Sequence, residues 1–309
     1  MDKPLTNGNQ FNEKSYIKHA EWYNSVFPDD KRKIDAIESF KSYKGSIHHW
    51  LQQIFFSCLD PFLIDKHASW LTLGDAFGHD AGYLIEQGLH DVMSSDLNTD
   101  FLEVSHALGM IREFRSENAE KLSYNDLSLD YILCKESYHH FPRPYAALYE
   151  MVRVAKKAVI IIEPQDPIAK MPFLLFLSNI LEKFSTGLSG MIWKNRFSYE
   201  KVGNFVYKVS EREIEKFAAG LNLPAVAVKS INPNFWFQGS NEIPADNKHK
   251  EFRKIAFKKN IRDFLTRIGS LPSQTLSLVI FKQKPDHNLK KELIKNGYRL
   301  IEIPKNPYW

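Results

Sequence analysis

Residues Trp70 to Leu84, WLTLGDAFGHDAGYL, constrain this chain more than any other stretch. An apolar run of Trp70, Leu71 and Leu73 enters a turn holding Gly74 and Gly78, and helical periodicity follows from Ala81. Strand, glycine-bearing turn and helix is the order in which an open α/β sheet presents backbone N–H groups and a helix N-terminus to a nucleotide. Glycines there permit positive φ or let a ligand lie against bare backbone. The pattern is only Gly-x-Ala-x-Gly, at Gly74, Ala76 and Gly78, so the turn alone does not separate a binding site from an ordinary connection.

The stretch that follows alternates strand and helix as an α/β sheet domain does. The patterning predicts strands at about 70–74, 91–95, 112–115, 129–134, 158–162, 225–228 and 275–281. Helices are predicted between them, at about 80–87, 99–109, 144–155, 210–219 and 248–268. Ala158 to Ile162 is a near-continuous aliphatic run, as expected of a central strand covered on both faces. Residues 165–208 interrupt the rhythm with an apolar helix at Met171–Leu181, glycines at 187 and 190, and an aromatic, basic stretch containing Trp193, Lys194, Arg196, Phe197 and Tyr199. The apolar helix is about half the length needed to span a bilayer and is expected to be buried, with a membrane surface or an apolar cleft as its other placements.

Before the sheet, residues 1–14 are expected to be loosely attached, and Ser15 to Asp65 reads as aromatic-rich helices broken at Pro28-Asp29-Asp30 and Lys44-Gly45-Ser46. These form an N-terminal helical cap over residues 1–65. The sheet domain follows over 66–285, and a short helix with an extended tail over 286–309. His48 and His49 point about 100° apart on a helix and make poor joint metal ligands, so no metal is expected.

Composition narrows the function. A net charge of +4 over 309 residues does not demand a nucleic-acid partner. Cys58 and Cys134 are far apart and fit neither a disulfide framework nor a zinc site, which suits a reducing cytoplasm. The polar N-terminus has no signal-peptide core. The basic stretch Lys248 to Arg262 is expected to be a solvated helix face, with phosphate or an anionic membrane surface as its other use.

Asp96 lies about 20 residues past the glycine turn, at the end of the second strand, where a carboxylate accepts hydrogen bonds from ribose hydroxyls. From Leu71 to Pro164 the chain resembles class I S-adenosylmethionine-dependent methyltransferases of the type 11 branch. Leu73 to Asp80 is similar to that family's first motif, Asn118-Ala119-Glu120-Lys121-Leu122 to its adenine-facing segment, and Ser128 to Leu133 to its fourth-strand motif. Glu136 to Pro142, with Tyr138-His139-His140-Phe141, and Glu150 to Val154 match its next two segments. The resemblance implies a Rossmann-like doubly wound, mostly parallel seven-stranded sheet that binds S-adenosylmethionine. It implies cofactor contacts from Gly74, Asp75, Ala76, Gly78, Asp96, Leu97, Asn118, Ala119, Glu120, Lys135 and Glu136. His139, His140 and Glu163 are the candidate bases at the reaction centre.

The chain departs from the family at Thr72, where an acidic residue often meets the methionine amine, and at Ala76 and Asn118. Thr72 and Ala76 favour the alternative of a cofactor-binding scaffold without turnover. A nicotinamide enzyme sharing the first turn would leave the later motifs without a purpose. Gly203 to Ser210 with Glu213-Ile214 resembles a segment of methyltransferases associated with bacterial polysaccharide and glycoconjugate assembly. That implies a small-molecule or glycan acceptor, with O-methylation favoured, and aromatics such as Trp193, Phe197, Tyr199, Phe235, Trp236 and Phe237 either stack on it or fill the cap's core.

Overall fold

The computed structural model describes residues 8–185, 187, 190, 197–200 and 204–308. Trp193, Lys194, Arg196 and Gly203, singled out above, lie outside the described residues.

Eight strands form one sheet: β1 (Trp70–Leu73), β2 (Val92–Asp96), β3 (Glu113–Ser116), β4 (Leu129–Lys135), β5 (Ala155–Pro164), β6 (Ala225–Ile231), β7 (Thr275–Phe281) and β8 (Arg299–Glu302), in the spatial order β3-β2-β1-β4-β5-β7-β6-β8. The first five are mutually parallel, whereas β7 runs antiparallel to both β5 and β6, and β8 antiparallel to β6. The sequence predicts seven strands; the eighth comes from the segment expected as an extended tail. Its four residues pair with Ala225–Val228 and cover the edge that β6 would otherwise expose.

Side chains of β5 alternate between two cores with the period of two that a strand imposes. Ile160 and Ile162 pack on one face with Phe55, Trp70, Leu84 and Phe281, while Val159 and Ile161 pack on the other with Met151, Ile214 and Leu278. Helices α4 (His79–Glu86), α5 (Asp100–Ala107), α6 (Pro144–Val154) and α8 (Glu211–Gly220) accompany the strands, with α6 and α8 contributing to the second core. A capping box at Ser210 and Glu213 starts α8: Glu213 N–H donates to the Ser210 hydroxyl, and Ser210 N–H to the Glu213 carboxylate.

Three helices precede the sheet: α1 (Gly8–Val26), α2 (Asp30–Ser42) and α3 (Ile47–Phe56). The breaks fall at the predicted turns, but α1 reaches back into the stretch expected to be loose. Helix α3 is started by the Ser46 hydroxyl, which accepts from His49 N–H at 3.2 Å, and it buries Ile47, Leu51, Phe55 and Phe56.

Helix α7 (Pro172–Glu182) corrects the expectation of burial. Among its side chains only Ser178 is buried, and Phe173 is 72% exposed. Apolarity sets a helix's preference for burial, but among the described residues no element covers Phe173 and Phe176. Helix α9 (Lys250–Arg267) has no buried residue and turns Phe257, Ile261 and Phe264 outward, so the expected solvated face carries an apolar line as well. Helix α10 (His287–Lys295) packs Leu293 into the first core.

The C-terminal segment is tied in by Tyr298. Its buried hydroxyl lies 2.6 Å from Ser277 Oγ and donates to the Cys58 carbonyl at 2.8 Å, joining β7, the N-terminal region and the chain end. Tyr298→Phe should lower stability by about 1–2 kcal/mol, because both partners lose a buried hydrogen bond. A urea midpoint that falls at unchanged slope would show it.

Candidate active site

The chain moves outward from β1 through β2 to β3, then returns across β1 to β4. In such a sheet the crevice lies at the carboxyl ends of the strands flanking the reversal. Here those ends are Leu73-Gly74 and Lys135-Glu136, and they open into a cavity of about 930 Å³. The roof is N-terminal: Tyr16, His19 and Tyr23 from α1, Phe40 from α2, and His48, Gln52 and Phe56 from α3. Sequence reasoning placed these aromatics on helix faces but did not bring them to the site. Their three- and four-residue spacing marks an apolar face without saying what it covers.

Gly74 holds φ at +71°, and a Cβ there would stand 2.6 Å from Ser137 Cβ, so the β1 and β4 lips meet only because this residue lacks a side chain. Asp75 lines the cavity wall, and its carboxylate is fully engaged. It accepts from Thr72 Oγ1 at 2.9 Å, Ser94 Oγ at 3.0 Å, Asp80 N at 3.1 Å and Ala81 N at 2.9 Å. Those last two donors are unpaired amides of the first turn of α4, so Asp75 acts as its cap and couples β1 to β2. Thr72 is wholly buried and stands behind the cavity wall. Gly78, also at φ +71°, lies outside the cavity wall against Ile111.

Asp96 ends β2 on the cavity wall, with Leu97 beside it. One carboxylate oxygen accepts Asn98 N–H at 3.0 Å. Burial, against that hydrogen bond, pushes the Asp96 carboxyl up to about 6. Asn118 and Ala119 form the adjoining wall. Asn118 Oδ1 accepts Glu120 N–H at 2.9 Å and faces the Tyr16 hydroxyl at 3.5 Å, which brings α1 over this end. Glu120 itself is behind the wall, where it accepts from Arg143 N at 2.7 Å and Nε at 2.8 Å and fixes the start of α6.

At the other end, Lys135 Nζ pairs with Asp80 at 3.1 Å and lies over the rings of Phe55 and Phe56. Burial would discharge the ammonium, but Asp80 and then Glu136 hold it charged. His79 stacks on Phe40 at 4.0 Å, and burial, assisted by Lys135, lowers its imidazole to about 3, so it is neutral.

The three candidate bases separate. Glu163 is wholly buried and outside the cavity wall. It accepts from Ser137 N and Tyr138 N, both at 2.8 Å, and its other oxygen is 2.5 Å from His139 Nδ1. His139 is thereby also committed behind the wall. Burial would lower its imidazole, but the Glu163 carboxylate raises it above the ordinary value. His140 alone of the three lines the cavity, with Nδ1 held 2.6 Å from Glu200 Oε2 and the His19 ring 5.4 Å away, edge to face. His19, His140 and Glu200 bring potential ligand atoms within 4.8 Å of one another, a gathering from three distant segments that their sequence spacing did not suggest.

Residues 71–162 match the family model described as a methyltransferase domain, and this segment is a domain of that family. The matched segment is a methyltransferase domain, for which the resemblance implies S-adenosylmethionine as cofactor. No curated protein matches the chain. Among solved structures, a SAM-dependent methyltransferase from Archaeoglobus fulgidus aligns over 78% of this chain and 96% of its own at 14% identity, with a TM-score of 0.47. The 1,6-didemethyltoxoflavin-N1-methyltransferase of Burkholderia thailandensis aligns over 92% and 94% at 12% identity, with a TM-score of 0.49. Among the described residues no helix is long and apolar enough to cross a membrane.

The donor set of the crevice fits that cofactor: an acidic acceptor at the end of β2, an amide wall at Asn118 and a glycine-lined lip at Gly74. Glu163→Ala should destabilise the protein by about 2–4 kcal/mol, because it leaves two buried N–H groups and a histidine without their acceptor. The His139 pair adds a pH signature. Its folded value is raised, so its stabilisation is fully present below the unfolded value of 6.5 and is lost as pH rises through the folded one. The melting-temperature gap between wild type and His139→Gln should therefore be wider near about pH 5.5 than near about pH 8.5.

Proposed function

We propose that the crevice binds S-adenosylmethionine with its ribose at Asp96, its adenine between Leu97 and Asn118-Ala119, and its methionine end along Gly74 and the Lys135-Glu136 backbone. Asp96 carries this reading. It is a carboxylate at the end of the strand next to the glycine lip, with one oxygen aimed at Asn98 N–H and capacity left for a diol. When bound, the cofactor supplies a methyl group already activated by a positive sulfur. The protein's remaining work is to align a nucleophile, exclude water and take up one proton.

The roof of α1 to α3 provides the exclusion. Tyr16, Tyr23 and Phe40 close the cavity from above, and the Phe27, Phe77 and Phe101 rings pack edge to face behind them. His140 takes the proton: it alone of the three candidate bases reaches the cavity, and Glu200 holds its Nδ1 so that Nε2 is the free nitrogen. His139 and Glu163 position that histidine by fixing its turn. A hydroxyl or amine on a small organic acceptor is the nucleophile this arrangement serves. Leu51, Phe55, Pro233 and Trp236 give the adjoining space apolar walls that suit an acceptor with an apolar frame.

Calorimetric titration with S-adenosylhomocysteine, with NAD as control, tests this. Binding of the former alone, weakened about tenfold or more by Asp96→Ala, is expected; equal binding by both proteins contradicts it. Affinity should also fall as pH drops through about 6, where Asp96 becomes protonated and loses acceptor capacity, and Asp96→Asn should abolish that dependence.

A further inference from the structure

A second cavity, of about 360 Å³, adjoins the first and is lined by Leu51, Phe55, Pro233, Asn234 and Trp236 together with three residues it shares with the main one: His48, Gln52 and Glu136. The shared residues mark where the two spaces meet. His48 and Gln52 lie one turn apart on α3 and so present the same face, while Glu136 comes from the opposite side, at the end of β4.

These three groups are polar, half-buried and unspent. His48 Nδ1 is buried with no hydrogen-bond partner, and burial lowers its imidazole below the ordinary value, which keeps the ring neutral. Among the described residues no hydrogen bond or ion pair engages the side chains of Gln52 or Glu136. Elsewhere in the site the carboxylates of Asp75, Glu120 and Glu163 are committed through hydrogen bonds, whereas Glu136 acts on Lys135 through charge alone. Its backbone is unusual too, since Glu136 holds φ at +51°, in the left-handed region that disfavours any residue but glycine. A backbone held there at a cavity wall points to a use for the side chain it presents.

Resting on the cofactor reading above, we propose that Glu136, His48 and Gln52 form the head-group subsite for the methyl acceptor, and that the second cavity, walled by Phe55 and Trp236, holds its apolar tail. The acceptor is then a small molecule with a hydrogen-bond-donating amine or hydroxyl on an aromatic or aliphatic frame. Glu136 accepts from the head group, and His48 and Gln52 adapt to its second polar atom. A carboxylate head would meet Glu136 with like charge and is excluded. The reacting atom then lies near His140, which shares the main cavity wall with Glu136.

The test uses phenethylamine, phenethyl alcohol and phenylacetate as probes on the full-length protein loaded with S-adenosylhomocysteine, followed by calorimetry or saturation-transfer NMR. The amine and the alcohol should bind and phenylacetate should not. Trp236→Ala should weaken both binders, and Glu136→Gln should weaken the amine by about tenfold or more, a larger loss than any in S-adenosylhomocysteine affinity. Glu136→Gly, which relieves the backbone, should melt no lower than wild type and still lose the amine, a result that a merely structural glutamate would not give. Amine binding unchanged by either Glu136 variant, or no binding of amine to wild type, overturns the proposal. So does a large loss of S-adenosylhomocysteine affinity with the amine unaffected, since Glu136 would then serve the cofactor. Should wild type fail to take up S-adenosylhomocysteine, the cofactor reading fails separately, and the same amine comparison on the unloaded protein judges the head-group subsite.

Discussion

The Glu163 carboxylate, wholly enclosed at the end of β5, accepts three hydrogen bonds from a single turn, through Ser137 N, Tyr138 N and His139 Nδ1. An ionised carboxylate is tolerated so far from water only when its oxygens are saturated in this way. The consequence is that the turn after β4 has one conformation. Ser137 then meets Gly74, His140 reaches the cavity, and Glu136 is held against the second space. Asp75 does the same on the other lip, spending its oxygens on β1, β2 and the first turn of α4. The crevice is thus framed by two carboxylates whose oxygens are committed within the protein.

Much of the sheet was legible because strand periodicity is local. Ala158 to Ile162 could only be a strand covered on both faces, and Gly74, Asp96 and Asn118 stand on the cavity wall where their place after a strand or within a motif suggested. What failed depended on distant partners. Arg299–Glu302 is too short to declare itself a strand and becomes one only against β6. The apolar stretch Met171–Leu181 reads as buried because composition reports the preference of a side chain and not the presence of something to cover it.

The site shows the same division. Resemblance to the family marked Asp75, Gly78, Glu120, His139 and Glu163 alongside the residues of the cavity wall. Yet Gly78, Glu120, His139 and Glu163 stand behind that wall, and the Asp75 carboxylate is committed to Thr72, Ser94 and the start of α4. Motif membership identifies the residues that build a site, and construction needs buried caps and pins as much as it needs contacts. Conversely, His48 was set aside for a sound local reason, its angle to His49. Its role at the meeting of two cavities arises from the packing of α3 over the end of β4, which no local pattern encodes.

The most direct test of the cofactor crevice is a crystal structure of the protein with S-adenosylhomocysteine. The account predicts ribose hydroxyls within hydrogen-bonding distance of the Asp96 carboxylate, adenine against Asn118 and Ala119, and the homocysteine chain running past Gly74 toward Glu136 beneath α1. A ligand seated elsewhere, or one whose ribose turns away from Asp96, would contradict it.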